Sequence, residues 1–205
     1  MTQPTDRMAQ LPEIGEVDRE AGEFWVANPL SLPKVGENLS AYERNKLFLS
    51  VDGEKFVDGS FASTTDIDSD SRSVIVGDID RDGALDLMVA SAGGGPVRVF
   101  SNRLKQGNRI EIRLKGVTSN RPGIGSRIVA EIGDRKVVRD LFPRNGFMGI
   151  GPAAEWIGIG EAEKIDRLTI RWPTGQTQEF LDVDVNRSIL IEEDAMEIET
   201  LKKWD

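Results

Sequence analysis

From Leu47 onward the chain is a succession of short apolar runs, many of them alternating, separated by turns rich in Gly, Pro and Asp. Ile110–Leu114 reads IEIRL, Ile128–Ile132 reads IVAEI and Lys136–Phe142 reads KVVRDLF. A period of two sends successive side chains to opposite faces, so one face of each strand can enter a core while the other meets water. No convincing amphipathic helix lies between these runs, and parallel βαβ units need such crossovers. The pattern therefore predicts an all-β, antiparallel fold.

The same reading places individual strands. Leu47–Val51 and Glu54–Val57 flank Asp52-Gly53, the signature of a hairpin closed by a type I′ turn. Ser73–Val76 and Leu85–Ala90 bracket an acidic loop, and Pro96–Phe100 follows. Later candidates are Glu155–Ile159, Leu168–Trp172, Gln176–Leu181 and Ser188–Glu192, with Pro173-Thr174-Gly175 as a hairpin turn. Residues 1–42 are a poorly patterned N-terminal arm, interrupted by Pro4, Pro12, Pro29 and Pro33, with room for a short helix over Val17–Val26. Residues 43–102 form a first β-rich segment and 103–193 a second. Residues 194–205 are predicted as a short C-terminal helical tail, because Ile198, Leu201 and Trp204 recur at i, i+3 and i+6.

Composition removes several chemistries. Among the 205 residues there is neither cysteine nor histidine. Disulfides, thiolate nucleophiles, Ser-His-Asp triads and imidazole proton shuttles are thus ruled out. A bound metal would have to be held by oxygen, which favours Ca²⁺, Mg²⁺ or Mn²⁺. The formal net charge of −9 argues against nucleic acid as a partner. No stretch has the length and apolarity of a membrane span, and Met1–Glu20 lacks the apolar block of a secretory signal.

The segment that carries most chemistry is Asp78-Ile79-Asp80-Arg81-Asp82-Gly83-Ala84-Leu85-Asp86. Alternation lets the carboxylates of Asp78, Asp80 and Asp82 converge when the loop curls, and Gly83 permits the sharp turn. The Ala84 carbonyl can add an oxygen and Asp86 can close the shell, giving the oxygen-only coordination that Ca²⁺ prefers. An EF-hand would need a bidentate Glu at loop position 12, where Val89 stands, and helices where these flanks read as strands. The expectation is one structural Ca²⁺ in a loop closed at position 9. The competing reading is a solvated turn of Asp and Gly. A second stretch, Asp66-Ile67-Asp68-Ser69-Asp70, lacks a following glycine and reads as a solvated loop from which Asp66 or Asp68 could approach a cation.

Two resemblances follow from these motifs. Asn45-Lys46-Leu47-Phe48-Leu49 through Asp58, with Val76-Gly77-Asp78 through Leu87, resembles a single FG-GAP (VCBS-type) repeat with its calcium loop. Gly116-Val117-Thr118-Ser119-Asn120-Arg121-Pro122-Gly123-Ile124-Gly125-Ser126-Arg127-Ile128, Ile157-Gly158-Ile159-Gly160, Trp172-Pro173-Thr174-Gly175 and Asn186 resemble an ASPIC/UnbV domain of the kind found in the cartilage acidic protein and bacterial relatives. The resemblance implies a propeller-blade-like repeat at 43–102, then a β-sandwich or barrel-like domain at 103–193. It also implies a secreted, periplasmic or cell-surface location, although this N-terminus carries no signal peptide. A lone blade leaves open sheet edges, which invite edge-strand pairing or further blades from a longer protein.

The function expected is a non-enzymatic, calcium-binding recognition or adhesion module whose ligand is a protein or a glycan. One alternative is an enzyme or accessory protein of an enediyne-type natural-product pathway, an association the UnbV resemblance brings with it. Another is a truncated paralogue holding only a structural calcium. Arg121, in a glycine-flanked loop, could grip a carboxylate or a sugar hydroxyl, but a structural turn is favoured there. Arg139, Arg144, Asn145 and the Gly146–Gly151 run could form a mobile binding loop, but a bulged strand is favoured there. Trp25, Trp156 and Trp204 would stack on sugars only if exposed.

Overall fold

A computed structural model describes residues 44–204, except 52, 68–70, 92–95, 106, 145 and 148. The N-terminal arm, the helix expected at Val17–Val26, Trp25, Asp68 and Asn145 lie outside the described residues. Every regular element among those described is a strand. In chain order these are β1 (Phe48–Val51), β2 (Lys55–Asp58), β3 (Ser71–Gly77), β4 (Asp86–Ser91), β5 (Arg98–Phe100), β6 (Asn108–Lys115) and β7 (Arg127–Ile132). They are followed by β8 (Arg135–Asp140), β9 (Ala154–Gly160), β10 (Lys164–Arg171), β11 (Thr177–Asp184), β12 (Arg187–Glu192) and β13 (Glu199–Lys203).

The described residues fall into two compact units, one within 44–72 and 89–98, the other within 73–88 and 99–204. In the first, β1 and β2 pair as the expected antiparallel hairpin, Val51 opposite Lys55, with Gly53 at φ +73°. The Gly59 N–H donates to the Leu47 carbonyl at 2.9 Å, and the Ser60 hydroxyl accepts the Leu47 N–H at 2.8 Å. Strands β3, β4 and β5 form a three-stranded sheet in that order. Among the described residues, β1 to β5 pair as these two sheets.

The second unit is a β-sandwich of two four-stranded sheets, ordered β11-β10-β7-β8 and β13-β12-β6-β9. Alternation does what the sequence promised. Ile110, Ile112 and Leu114 of β6, Ile128, Ala130 and Ile132 of β7, and Leu168 and Ile170 of β10 enter one shared core. Trp172, at the end of β10, fills the same core and donates its indole N–H to the Gln178 side chain. Burying a side chain of this kind contributes roughly 1.5–3 kcal/mol, so the sandwich carries the stability of this unit. One pairing departs from the antiparallel rule: β12 runs parallel to β6, Arg187 opposite Ile110 and Glu192 opposite Lys115.

The helical tail is corrected. Residues 199–203 are a strand that pairs antiparallel with β12, with an irregularity between Ser188 and Ile189. A helix of the tail's length is marginal in isolation, whereas β12 offers a free edge whose backbone groups need partners. The three apolar residues of the supposed helix face separate: Ile198 packs on the core, Leu201 is exposed and Trp204 is buried.

Candidate metal centre

The acidic loop joins the end of β3 to the start of β4. Two residues give it its curl by adopting left-handed backbone, Arg81 at φ +62° and Gly83 at φ +87°. The aspartates then fold inward onto the loop's own amides. Asp78 Oδ2 accepts the Gly83 N–H at 2.9 Å, Asp82 Oδ1 accepts the Ala84 N–H at 2.8 Å, and Asp80 Oδ1 accepts the Asp82 N–H at 3.3 Å. Asp86 sits beneath, 2% exposed, its Oδ2 accepting from Ile79 N–H at 3.0 Å and its Oδ1 from Asn102 N–H at 2.8 Å.

Each of Asp78, Asp80 and Asp86 brings one carboxylate oxygen to within 4.8 Å of the others. Asp82 is not in that group. One of its oxygens is turned to Ala84, and the other lies 3.7 Å from the Arg103 guanidinium, which also stands 3.4 Å from Asp80. Ala84 is buried at the loop's base. Burial raises the Asp78 carboxyl above its ordinary range, and the neighbouring Asp82 charge adds to this, while N–H donation from Gly83, Asp82 and Arg81 opposes it. Asp78 Oδ1 is buried and has no hydrogen-bond partner. Asp66, of the second acidic stretch, is instead paired with Arg44 within the first unit.

The loop is also held from outside. Arg109 of β6 donates from Nε to the Gly83 carbonyl at 2.7 Å and from Nη2 to the Asp82 carbonyl at 2.6 Å. Its guanidinium carbon lies 5.5 Å from the Trp204 ring centre. Lys202 donates from Nζ to the Arg81 carbonyl. Gly83 has no room to spare: a Cβ there would lie 2.6 Å from Trp204 and 2.8 Å from Arg109. Gly83→Ala is therefore expected to destabilise the protein by about 2–4 kcal/mol, from left-handed strain and a displaced ring together. Urea unfolding, with Gly53→Ala (φ +73°, open space) as the strain-only control, checks it.

A second anchored loop lies at the other end of β6. The Glu193 carboxylate accepts the N–H groups of Val117 (2.8 Å), Thr118 (2.8 Å) and Ser119 (2.7 Å), with the Ser119 hydroxyl at 2.8 Å. Burial alone would raise this group, but the Ser119, Val117 and Thr118 donors hold it down at about 2. Asn120 closes the loop by exchanging two bonds with the Ile124 backbone, at 2.7 and 2.8 Å. The loop thus reads as the structural turn favoured from sequence, with Arg121 exposed on it. Asn186, at φ +54°, accepts the Arg109 N–H on its side chain and the Trp204 N–H on its carbonyl.

Residues 116–198 match the ASPIC and UnbV family model. No curated protein matches the chain. The ASPIC/UnbV match opens at Gly116, immediately after β6, and closes at Ile198, immediately before β13. Both strands that hold the acidic loop through Arg109 and Lys202 therefore lie outside the matched stretch.

Sequence reasoning missed Arg109, Lys202 and Glu193. Arg109 is one charge among many at a strand start, and Glu193 follows another glutamate at a strand end. No local spacing marks either one.

Proposed function

We propose that the loop binds one Ca²⁺ through Asp78, Asp80 and Asp86, with Asp82 and the Ala84 carbonyl available to complete the oxygen shell. The observation that carries this reading is the Asp78 oxygen that is buried without a partner, in a residue whose carboxylate gathers with two others. Two unit charges about 4.8 Å apart repel by about 3 kcal/mol at an effective dielectric near 20. A loop that gathers three carboxylates at such distances gains most from a divalent cation. The residue set fits a hard, oxygen-seeking ion and no softer one. The resemblance of Val76–Leu87 to an FG-GAP calcium loop supports the same choice.

The ion is structural in this reading. It fixes the loop on the sandwich of a non-enzymatic recognition module whose ligand is a protein or a glycan, in an exported or cell-surface setting. No helix among the described residues is long and apolar enough to cross a membrane.

Thermal unfolding in EDTA, Ca²⁺ and Mg²⁺ tests it, on the wild type and on Asp80→Ala, which removes an exposed carboxylate. With a dissociation constant near 10⁻⁴ M, Ca²⁺ at about 10 mM should add about 2.7 kcal/mol of stability. Asp80→Ala should abolish that gain, and Mg²⁺ should give little of it. An equal response to both ions that survives in the variant would reduce the loop to a solvated turn.

A further inference from the structure

Beside the acidic loop the second unit holds a cleft of about 210 Å³, and its lining includes Asp78, Glu111, Arg113, Ser188, Lys202 and Trp204. Pockets for drug-sized ligands start at about 300 Å³, so this one suits a small molecule or a single projecting group. Five buried side-chain polar atoms among the described residues have no hydrogen-bond partner, and three of them belong to residues of this one lining: Asp78 Oδ1, Ser188 Oγ and Trp204 Nε1. Ser188 is 4% exposed and Trp204 8%. Asp78 Oδ1 is an acceptor and belongs to the metal loop, whereas the other two are donors; two buried donors left unpaired in one lining are costly and mark a place that a polar acceptor completes.

The charges say what kind of group. Glu111, 5% exposed, is taken by Arg113, whose Nε and Nη2 both reach Oε1 at 2.8 and 2.7 Å. The unpaired capacity is therefore donor in character, the Trp204 N–H and the Ser188 O–H, and the cations in the same lining add positive charge: Arg113, already on Glu111, Lys202, already on the Arg81 carbonyl, and Arg81. We propose that this cleft binds the carboxylate of a small organic acid, taken between Ser188 and Trp204 with Arg113 as counter-charge. The inference rests on the calcium reading in one respect: the aspartates of the loop would repel an entering anion until a cation neutralises them. Ca²⁺ and the acid should accordingly bind with positive coupling, each tightening the other by the same factor.

The test follows the Trp204 indole N–H by ¹⁵N NMR, identified by its loss in Trp204→Phe, while Ca²⁺ binding is measured separately by calorimetry. Succinate and glucuronate, one a plain and one a sugar acid, are titrated with Ca²⁺ and with EDTA. A saturable movement of that resonance with either acid is expected in Ca²⁺, weakened at least about tenfold in EDTA and in Ser188→Ala or Arg113→Gln. An unchanged remainder of the spectrum shows that those variants are folded. Calorimetric Ca²⁺ binding with no movement on adding either acid overturns the carboxylate site and leaves the calcium reading standing. No calorimetric Ca²⁺ binding, with acid affinity equal in EDTA, overturns the calcium reading and the coupling together. Equal movement with sodium sulfate or chloride at matched ionic strength overturns the assignment to carboxylates.

Discussion

Asp86→Ala should be the most damaging single change among the aspartates of the acidic loop. Its side chain is 2% exposed, and each oxygen serves one backbone N–H, of Ile79 above and of Asn102 across the loop's exit. Alanine leaves both donors without their acceptor and removes one of the three gathered carboxylates. A typical hydrogen bond contributes about 0.5–1.5 kcal/mol net, and both of these are part-buried, so losing two gives about 1–3 kcal/mol before any metal is considered. The calcium response should vanish with it. Asp82→Ala should act differently, since its carboxylate lies outside the group of three and bonds mainly to the Ala84 N–H. Urea unfolding of both variants in EDTA and in Ca²⁺ separates the two roles. If Asp86→Ala were no less stable than Asp82→Ala in EDTA, Asp86 would not be holding the loop's backbone.

The second large effect is tied to pH. Glu193 receives five donors, three consecutive backbone N–H groups and the hydroxyls of Ser119 and Thr174, and the charged form is the one they bind. Its folded-state value of about 2 lies below its ordinary 4.5. A group lowered in the folded state adds stability that is complete above the ordinary value and is lost as the pH falls toward the folded one. Glu193→Gln should therefore melt well below the wild type near neutral pH. The gap should narrow as the pH drops from about 4.5 toward about 2. Hydrogen exchange at the amides of 117–119 should speed up in the variant at neutral pH, because their acceptor is no longer charged. A gap that stays constant across that window would mean the carboxylate's charge is not what the loop uses.

How far the sequence could be read depended on whether a feature was local. Strands with alternating polarity, such as β6 and β7, are visible because burial of one face imposes a period of two on neighbouring residues. The curled acidic loop was visible for the same kind of reason: its aspartates and Gly83 stand in one short run. Its attachment was not visible. Arg109 lies 26 residues beyond Gly83, and Lys202 lies 121 beyond Arg81. Only the closed sandwich brings them together. The tail was misread because Ile198, Leu201 and Trp204 satisfy a helical spacing, while Glu199–Lys203 carries no alternation to announce a strand. What makes it a strand is the unpaired edge of β12, a tertiary fact that overrides local pattern.

The parallel pairing of β6 with β12 has a consequence in time. Lys115 and Glu192, bonded across that pair, are 77 residues apart in the chain, and β6 also lies between β12 and β9. On the ribosome, β6 therefore emerges with its apolar face made and both neighbours still unsynthesised. Local hairpins such as β7–β8 and β10–β11 can close at once, but the second sheet has to wait for β12. Non-local closure of this kind slows folding and prolongs the exposure of apolar strands. Expression at low temperature or with holdase chaperones should then raise the folded yield more than any change confined to the hairpins.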